Sequence, residues 1–369
     1  MPKKLPPELK TDVARAARRG DPTIAAGSGP TTTKRPPPLL WLGALAGFYK
    51  PDAEALRLLD PVSKFLYAAR SVILVISAQA AAIAGLLAAR NHRFNTVAFV
   101  LILVGFVVVH MISNLSNDYF GWRRGHDTSD SPRMRYTVHP LASGVLETRT
   151  LLAGLGILAM LGLGITAFFA ITRGWAAVGL AAAGMALLLL YDAVPKPLKS
   201  IGLGEIASFL VWGPLMVGGG YAMIAGQFSR TAFFASVPYG LGVMSILVGK
   251  HIDQLAFDSA HGNRTLPVVL GERGARVLNR GVVVLMYAVT AALIGTGQLT
   301  PFTGLVAVSL PRALHAVSIM GQKRPAGPPA GYVGWPLWYH RACLLHNRLF
   351  GWLYILGLAV GALAPGVKL

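Results

Sequence analysis

Acidic residues are scarce in this chain, with 15 Asp and Glu against 34 Lys and Arg, and only 13% of its 369 positions are charged. Soluble domains carry about 25% charged residues, so this polar coat is too thin for a water-facing globule. Cysteine is nearly absent. The lone Cys343 excludes an intramolecular disulfide and a cysteine-based zinc site, and reads as a packed thiol in a helix. An apolar core of signal-peptide length is lacking near Met1. What is plentiful is apolar: 54% of residues are hydrophobic and the mean hydropathy is +0.54.

The apolar residues fall in runs long enough to span a bilayer, which predicts an all-α membrane protein rather than a barrel. Nine such segments run at about 69–89, 95–116, 148–172, 174–192, 205–226, 231–252, 278–297, 301–321 and 347–364. Ahead of them, residues 1–65 form a basic arm with the run Lys34-Arg35-Pro36-Pro37-Pro38. It is predicted to be mostly disordered, with a short interfacial helix around Asp52 to Leu59. The nine-helix domain then occupies residues 66–369. A net charge of +19 invites a nucleic-acid reading. The basic residues sit in the loops and the arm, however, where topology and lipid headgroups account for them, so membrane lipids and no nucleic acid are the expected partners. With the N-terminus inside, the outer loops hold four Lys and Arg and the inner loops sixteen. The positive-inside rule then places the N-terminus and every polar motif on the cytoplasmic side of a multi-pass protein, as in a bacterial cytoplasmic membrane.

Three polar clusters close alternate segments. The first is Asn114-Leu-Ser-Asn117-Asp118-Tyr119-Phe120-Gly121-Trp122-Arg123-Arg124-Gly125-His126-Asp127. At about 100° per residue, Asn114, Asn117, Asp118 and Gly121 share roughly one quadrant of a helix. Taken alone the stretch also reads as a helix cap or a solvated turn. Polar groups at the end of a membrane-length helix are expensive and mark function, and hard cations such as Mg²⁺ seek such oxygens. The second cluster runs from Lys250 through Asp253 and Asp258 to Arg264, Thr265 and Leu266; the third from Tyr191 and Asp192 through Lys196 and Lys199 to Glu205. Carboxylates, amides and cations on one membrane face suit a diphosphate ester: carboxylates hold Mg²⁺, the metal bridges phosphate oxygens, and Lys or Arg takes the remaining charge. Apolar helices around it would accept a long hydrocarbon tail.

From about residue 60 onward the chain resembles the UbiA superfamily of intramembrane prenyltransferases, in the motif style of the branch acting on dihydroxynaphthoate. The stretches that carry this are Asn114-x-x-Asn117-Asp118-Tyr119 with Gly125-x-Asp127; Pro140-Leu-Ala-Ser143-Gly144; Tyr191 through Glu205; and Asp258-x-x-x-Gly262-x-Arg264-Thr265-Leu266 with Leu270-Gly271. The resemblance implies a nine-helix bundle around a central cavity. It also implies Mg²⁺-dependent transfer of a prenyl group from a polyprenyl diphosphate to an electron-rich acceptor, such as an aromatic quinone precursor. It assigns Asp118, Asn114, Asp127, Asp253 and Asp258 to metal, and Asn114, Asn117, Lys199, Lys250, Arg123 and Arg264 to the diphosphate. Asp118, Asp258, Lys199, Arg264 and Tyr191 become the catalytic group. The pattern is broken in three places. Gly121 stands where the family has the middle Asp, Gln254 where it has the first Asp of the second motif, and His139 where an Arg is common. Asp253 and Asp258 are five residues apart, about 140° on a helix.

Two other functions share parts of this pattern. A cyclase of the same fold would let the prenyl chain capture its own cation. A lipid or ion transporter would place acids near the bilayer midplane in inverted repeats, whereas here they lie at helix ends. Elsewhere, His110 reads as a packed or headgroup-level histidine. His340, Arg341, His346, Asn347 and Arg348 read as a headgroup-facing run before the last segment. Trp335, Trp338, Tyr339 and Trp352 form an aromatic belt, and Pro311 with Arg312 interrupts the eighth segment.

Overall fold

Polar side chains set the starts of several helices. Asn95 Oδ1 accepts from the Ala98 N–H at 2.9 Å, and Ser229 Oγ accepts from the Ala232 N–H at 3.2 Å. Each satisfies a donor that a first helical turn leaves without a backbone acceptor. The computed structural model describes residues 53–125, 127, 131–332 and 334–364; the expected basic arm up to residue 52 lies outside them. Short helices occupy Ala53–Arg57 and Pro61–Ala68. Among the described residues, nine helices are long and apolar enough to cross a membrane: α1 Ser71–Arg90, α2 Thr96–Arg123, α3 Thr148–Arg173, α4 Trp175–Asp192, α5 Gly204–Ala225, α6 Arg230–Asp253, α7 Leu266–Gly295, α8 Pro301–Gly321 and α9 Tyr339–Leu363. No strand occurs among the described residues.

Helix α6 is the most enclosed and packs against α5, α7 and α9, while α3 and α4 turn Ile157, Met160, Leu163, Ile171 and Trp175 outward. Where α5 crosses α6, a Cβ on Gly240 would lie 2.9 Å from Gly213 Cα and 2.9 Å from Phe209 O. Glycine lets the two backbones touch, as in close membrane-helix packing. Pro214 lacks an N–H to donate, and the chain around it, Val211–Gly219, widens into a π-helix.

Three elements differ from the sequence expectation. Helix α7 starts at Leu266 rather than near 278 and bends at Gly271, whose φ is 69°. Helix α9 starts at Tyr339 rather than near 347, so His340 to Arg348 lie inside it, and His346 and Asn347 are fully buried instead of facing headgroups. Helix α8 is a 3₁₀ turn over Pro301–Ser309 that becomes α-helical at Leu310, so Pro311 falls in the first turn of the α-helical part, where a missing N–H costs little. Apolar windows locate the spans but miss polar first turns that tertiary contacts support. Cys343 is buried in α9, 3.5 Å from Asn279 Nδ2, as a packed thiol.

Candidate active site

At the end of the bundle where α2, α4 and α6 finish, a polar chamber of about 530 Å³ sits against an apolar cavity of about 1230 Å³ that runs down between the helices. Arg70, Asn117, Tyr136, Tyr191 and Lys250 line both spaces. The chamber walls carry the cations Arg70, Arg124, Arg133, Lys196, Lys199 and Lys250 against the carboxylates Asp127 and Asp258. Their field is strong enough to move neighbours. Burial opposes ionisation of the Tyr136 phenol, yet Lys250, Arg133 and Arg70 together bring its pKa below the usual value.

Asp118, expected as a metal ligand, is 1% exposed and does not line the chamber. Its Oδ1 accepts from Arg70, and its Oδ2 accepts from Arg133 Nη2 at 3.0 Å. Burial disfavours the Arg133 charge, but Asp118 outweighs it and raises the guanidinium pKa. Asn117 and Asp118 are consecutive, so they point about 100° apart on α2; the amide faces the chamber and the carboxylate turns toward the arginines. Arg70 is held at φ 55°, ψ 50°, a left-handed conformation uncommon for a side-chain-bearing residue. Such outliers gather at functional sites.

Lys199 donates to Asn117 Oδ1 at 2.7 Å, which joins the loop after α4 to α2. Burial lowers the Lys199 pKa to about 8. The same loop meets the one after α6, where Ser200 O accepts from the Arg264 N–H at 3.2 Å and Ser200 Oγ donates to Asn263 Oδ1 at 3.1 Å. Asp258 is 7% exposed and its Oδ2 lacks a partner; burial raises its pKa, partly offset by His251 and Lys250. His139 Nδ1 accepts from the Ala142 N–H at 3.2 Å, so its Nε2 bears the proton and donates to Asp127 Oδ2 at 3.1 Å. A Cβ on Gly121 would collide with that same Oδ2. The Asp127 carboxylate therefore fills the space that a side chain at 121 would take.

The chamber thus gathers Asn117, Asp127, Tyr191, Lys199, Lys250 and Asp258 from the expected set. Besides Asp118, four others sit elsewhere. Asn114 donates to Ala69 O at 2.9 Å and lines the apolar cavity. Both carboxylate oxygens of Asp253 accept from the first backbone N–H groups of α9, those of Tyr339 at 3.1 Å and His340 at 2.9 Å, so this residue caps a helix rather than facing Asp258. Arg264 is exposed outside the chamber. Arg123 is exposed and donates to Tyr119 Oη at 3.2 Å, while its neighbour Arg124 lines the chamber, donating to Asp192 O at 2.6 Å and Val194 O at 3.0 Å. Sequence reasoning missed Arg70, Arg124, Arg133 and Tyr136. Arg70 was detectable as a lone charge within the first predicted span.

Magnesium is the metal the resemblance implies. Among the described residues no three His, Cys, Asp or Glu side chains are placed to hold an ion. Asp118 is spent on two guanidiniums and Asp253 on a helix cap, so the donor set does not fit a resident metal cluster. Asp127 and Asp258 suit an ion that arrives already bound to phosphate, since Mg²⁺ takes only one or two protein carboxylates in such company.

A polar, cation-rich chamber beside a lipid-sized apolar cavity, within a bundle whose described residues include nine helices long and apolar enough to cross a membrane, frames the comparison with known proteins. Residues 78–332 match the UbiA prenyltransferase family, and the chain belongs to that family. It is similar to the 1,4-dihydroxy-2-naphthoate octaprenyltransferase of Bacillus subtilis, 25% identical over 61% of this chain and 71% of that protein. It is likewise similar to the 2-carboxy-1,4-naphthoquinone phytyltransferase of Synechocystis, 29% identical over 61% of this chain and 71% of that one. In fold it resembles the apo UbiA homologue from Aeropyrum pernix, with a TM-score of 0.57 and 16% identity over 79% of this chain and 97% of that chain. The Archaeoglobus fulgidus homologue bound to GPP and Mg²⁺ gives a TM-score of 0.53 at 15% identity, over 78% and 98% of the two chains. The chain is a prenyltransferase by family, and its fold is that of its structural neighbours.

Proposed function

We propose that this enzyme transfers a prenyl group from a polyprenyl diphosphate to an electron-rich aromatic acceptor of the quinone-precursor type, with the polar chamber at the cytoplasmic face of a bacterial cytoplasmic membrane. The observation that supports this most is the shared wall. A chamber lined by six cations and two carboxylates shares Arg70, Asn117, Tyr136, Tyr191 and Lys250 with the wall of a cavity of about 1230 Å³. An amphiphile with a charged head and a long apolar tail fits that pair of spaces, and its head-to-tail bond would lie at the wall.

In this reading Arg70, Arg133, Lys199 and Lys250 grip the diphosphate. Asp127 and Asp258 would hold Mg²⁺ carried in by the diphosphate as part of the substrate, and the ion would supply neutralisation of part of its charge. The bond from carbon 1 to oxygen breaks with its electron pair going to the diphosphate, where preorganised cations stabilise the charge as it develops. The acceptor ring supplies the electron pair for the new carbon–carbon bond and then releases a proton, or carbon dioxide where the attacked carbon bears a carboxylate. Tyr136 and Tyr191 flank the gate and shelter the allylic cation by cation–π contact. Asp118 touches no substrate; it fixes two of the guanidiniums and is a positioning residue. The test is incubation of purified protein with Mg²⁺, geranylgeranyl diphosphate and 1,4-dihydroxy-2-naphthoate, followed by mass spectrometry. A prenylated naphthoquinol with one pyrophosphate released per product is expected. Pyrophosphate release with a cyclised hydrocarbon and no adduct would overturn transfer to an acceptor.

A further inference from the structure

Transfer to an aromatic alcohol needs a place for the acceptor's hydroxyl proton while the new carbon–carbon bond forms. The large apolar cavity offers few bases for it. Among the described residues that line it there is no Asp or Glu, and its cations, Arg70, Arg135 and Lys250, donate only. Two imidazoles remain. His110 of α2 has its Nδ1 2.8 Å from Ser77 Oγ, and it lies seven residues from Asn117, about 10 Å along the helix axis from the wall shared with the chamber. His340 of α9 stands nearer that wall. Its Nδ1 lies 3.3 Å from Ile246 O of α6. Ile246 is four residues, about 6 Å along that helix, from Lys250 on the shared wall.

The ring's orientation follows from that contact. A carbonyl oxygen only accepts, so Nδ1 bears the proton of the neutral imidazole and Nε2 keeps its lone pair. Among the described residues nothing bonds to that Nε2. The backbone beneath it is pinned, because the His340 N–H donates to Asp253 Oδ2 at 2.9 Å where α9 begins. Leu337, three residues before, and Leu344, four after, line the same cavity, so this side of the chain faces it with the imidazole between two leucines.

We infer that His340 is the general base of the transfer, its Nε2 taking the acceptor's hydroxyl proton as the ring attacks. This rests on the prenyl-transfer reading and adds the group that handles the proton. The O–H bond breaks toward Nε2, and its electron pair enters the ring as a carbonyl forms. The attacked ring carbon bonds carbon 1 of the prenyl chain while the carbon 1–oxygen pair leaves on the diphosphate. The ring then loses carbon dioxide, or yields the proton of the attacked carbon to the diphosphate. The pair left behind restores the aromatic ring and an oxyanion, to which His340 returns its proton. The imidazole ends neutral and no further reactant is consumed.

Initial rates of the purified full chain in lipid nanodiscs test this, at saturating geranylgeranyl diphosphate, Mg²⁺ and 1,4-dihydroxy-2-naphthoate. His340→Ala should lower kcat about a hundredfold, within the range a positioned base contributes, with affinity for geranylgeranyl thiodiphosphate within about twofold of wild type. Free imidazole in the assay should raise the rate of His340→Ala about tenfold or more and leave the wild type unmoved, a recovery that a lost packing contact would not show. Should His340→Ala fail to fold, His340→Gln, which keeps a donor for Ile246 O, carries the same loss of kcat. Turnover of a folded variant within about threefold of wild type overturns the base, as does a loss in His340→Ala that imidazole leaves unchanged. A wild type that binds the thiodiphosphate and forms no adduct overturns the prenyl-transfer reading, and the base with it.

Discussion

At the scale of single residues, Asp118 and Lys199 carry the sharpest expectations. Asp118 neutralises two guanidiniums at 1% exposure, and removing one partner of a buried ionic group costs about 3–5 kcal/mol. Asp118→Ala should lower the melting temperature and cut the rate at limiting prenyl diphosphate about a hundredfold or more, read by thermal shift and initial rates. Lys199 has its pKa lowered from 10.5 to about 8 by burial. A lysine with a depressed pKa is charged below that value and loses its proton above it. Affinity for the diphosphate should therefore be full below about pH 8 and fall as the pH rises through it. The KM for donor should climb on that alkaline limb in the wild type and stay flat in Lys199→Arg, whose guanidinium remains charged. A residue-level reading of the sequence found Lys199 because it sits in a polar loop. It did not foresee the partners of Asp118, because helical spacing gives a direction but not a partner: Arg70 and Arg133 come from before α1 and from the loop after α2, too far along the chain to be paired by period.

Among the elements, two contacts decide geometry. Asp253 accepts from the Tyr339 and His340 N–H groups that open α9, and losing a helix cap costs about 1 kcal/mol.

 Asp253→Ala should therefore lower the melting temperature by a few degrees and leave the response of turnover to Mg²⁺ unchanged. A metal ligand would show the reverse. Gly121 lies against the Asp127 carboxylate, with no room for a Cβ. Gly121→Asp, which restores the family's middle carboxylate, should displace Asp127 and lose activity about tenfold or more, as overpacking at a tight contact does; gain of activity on that change would contradict the packing. The spans themselves were legible because long apolar runs need no partner to be recognised. The early starts of α7 and α9 were not, since Asp253 and the Ser200–Arg264 loop contact beside them are polar and lie outside any apolar window.

For the whole molecule, the two spaces and their shared wall account for the division of labour: charge is handled at one end of the bundle and hydrocarbon in its interior. The carboxylate and amide motifs in the sequence lie at the end of the bundle that holds the chamber. They overstated its acidity, because Asp118 and Asp253 are committed to other groups, while Arg124, Arg133 and Lys196, which join Lys199 and Lys250 in the chamber, were read as topology signals. The central claim is that the cationic walls, rather than a resident metal cluster, hold the diphosphate. Its most direct test is the affinity of the purified enzyme for geranylgeranyl thiodiphosphate in excess EDTA and in excess Mg²⁺. Affinity in EDTA within about thirtyfold of that in Mg²⁺, or about 2 kcal/mol, is the expected result; a greater loss in EDTA would contradict it.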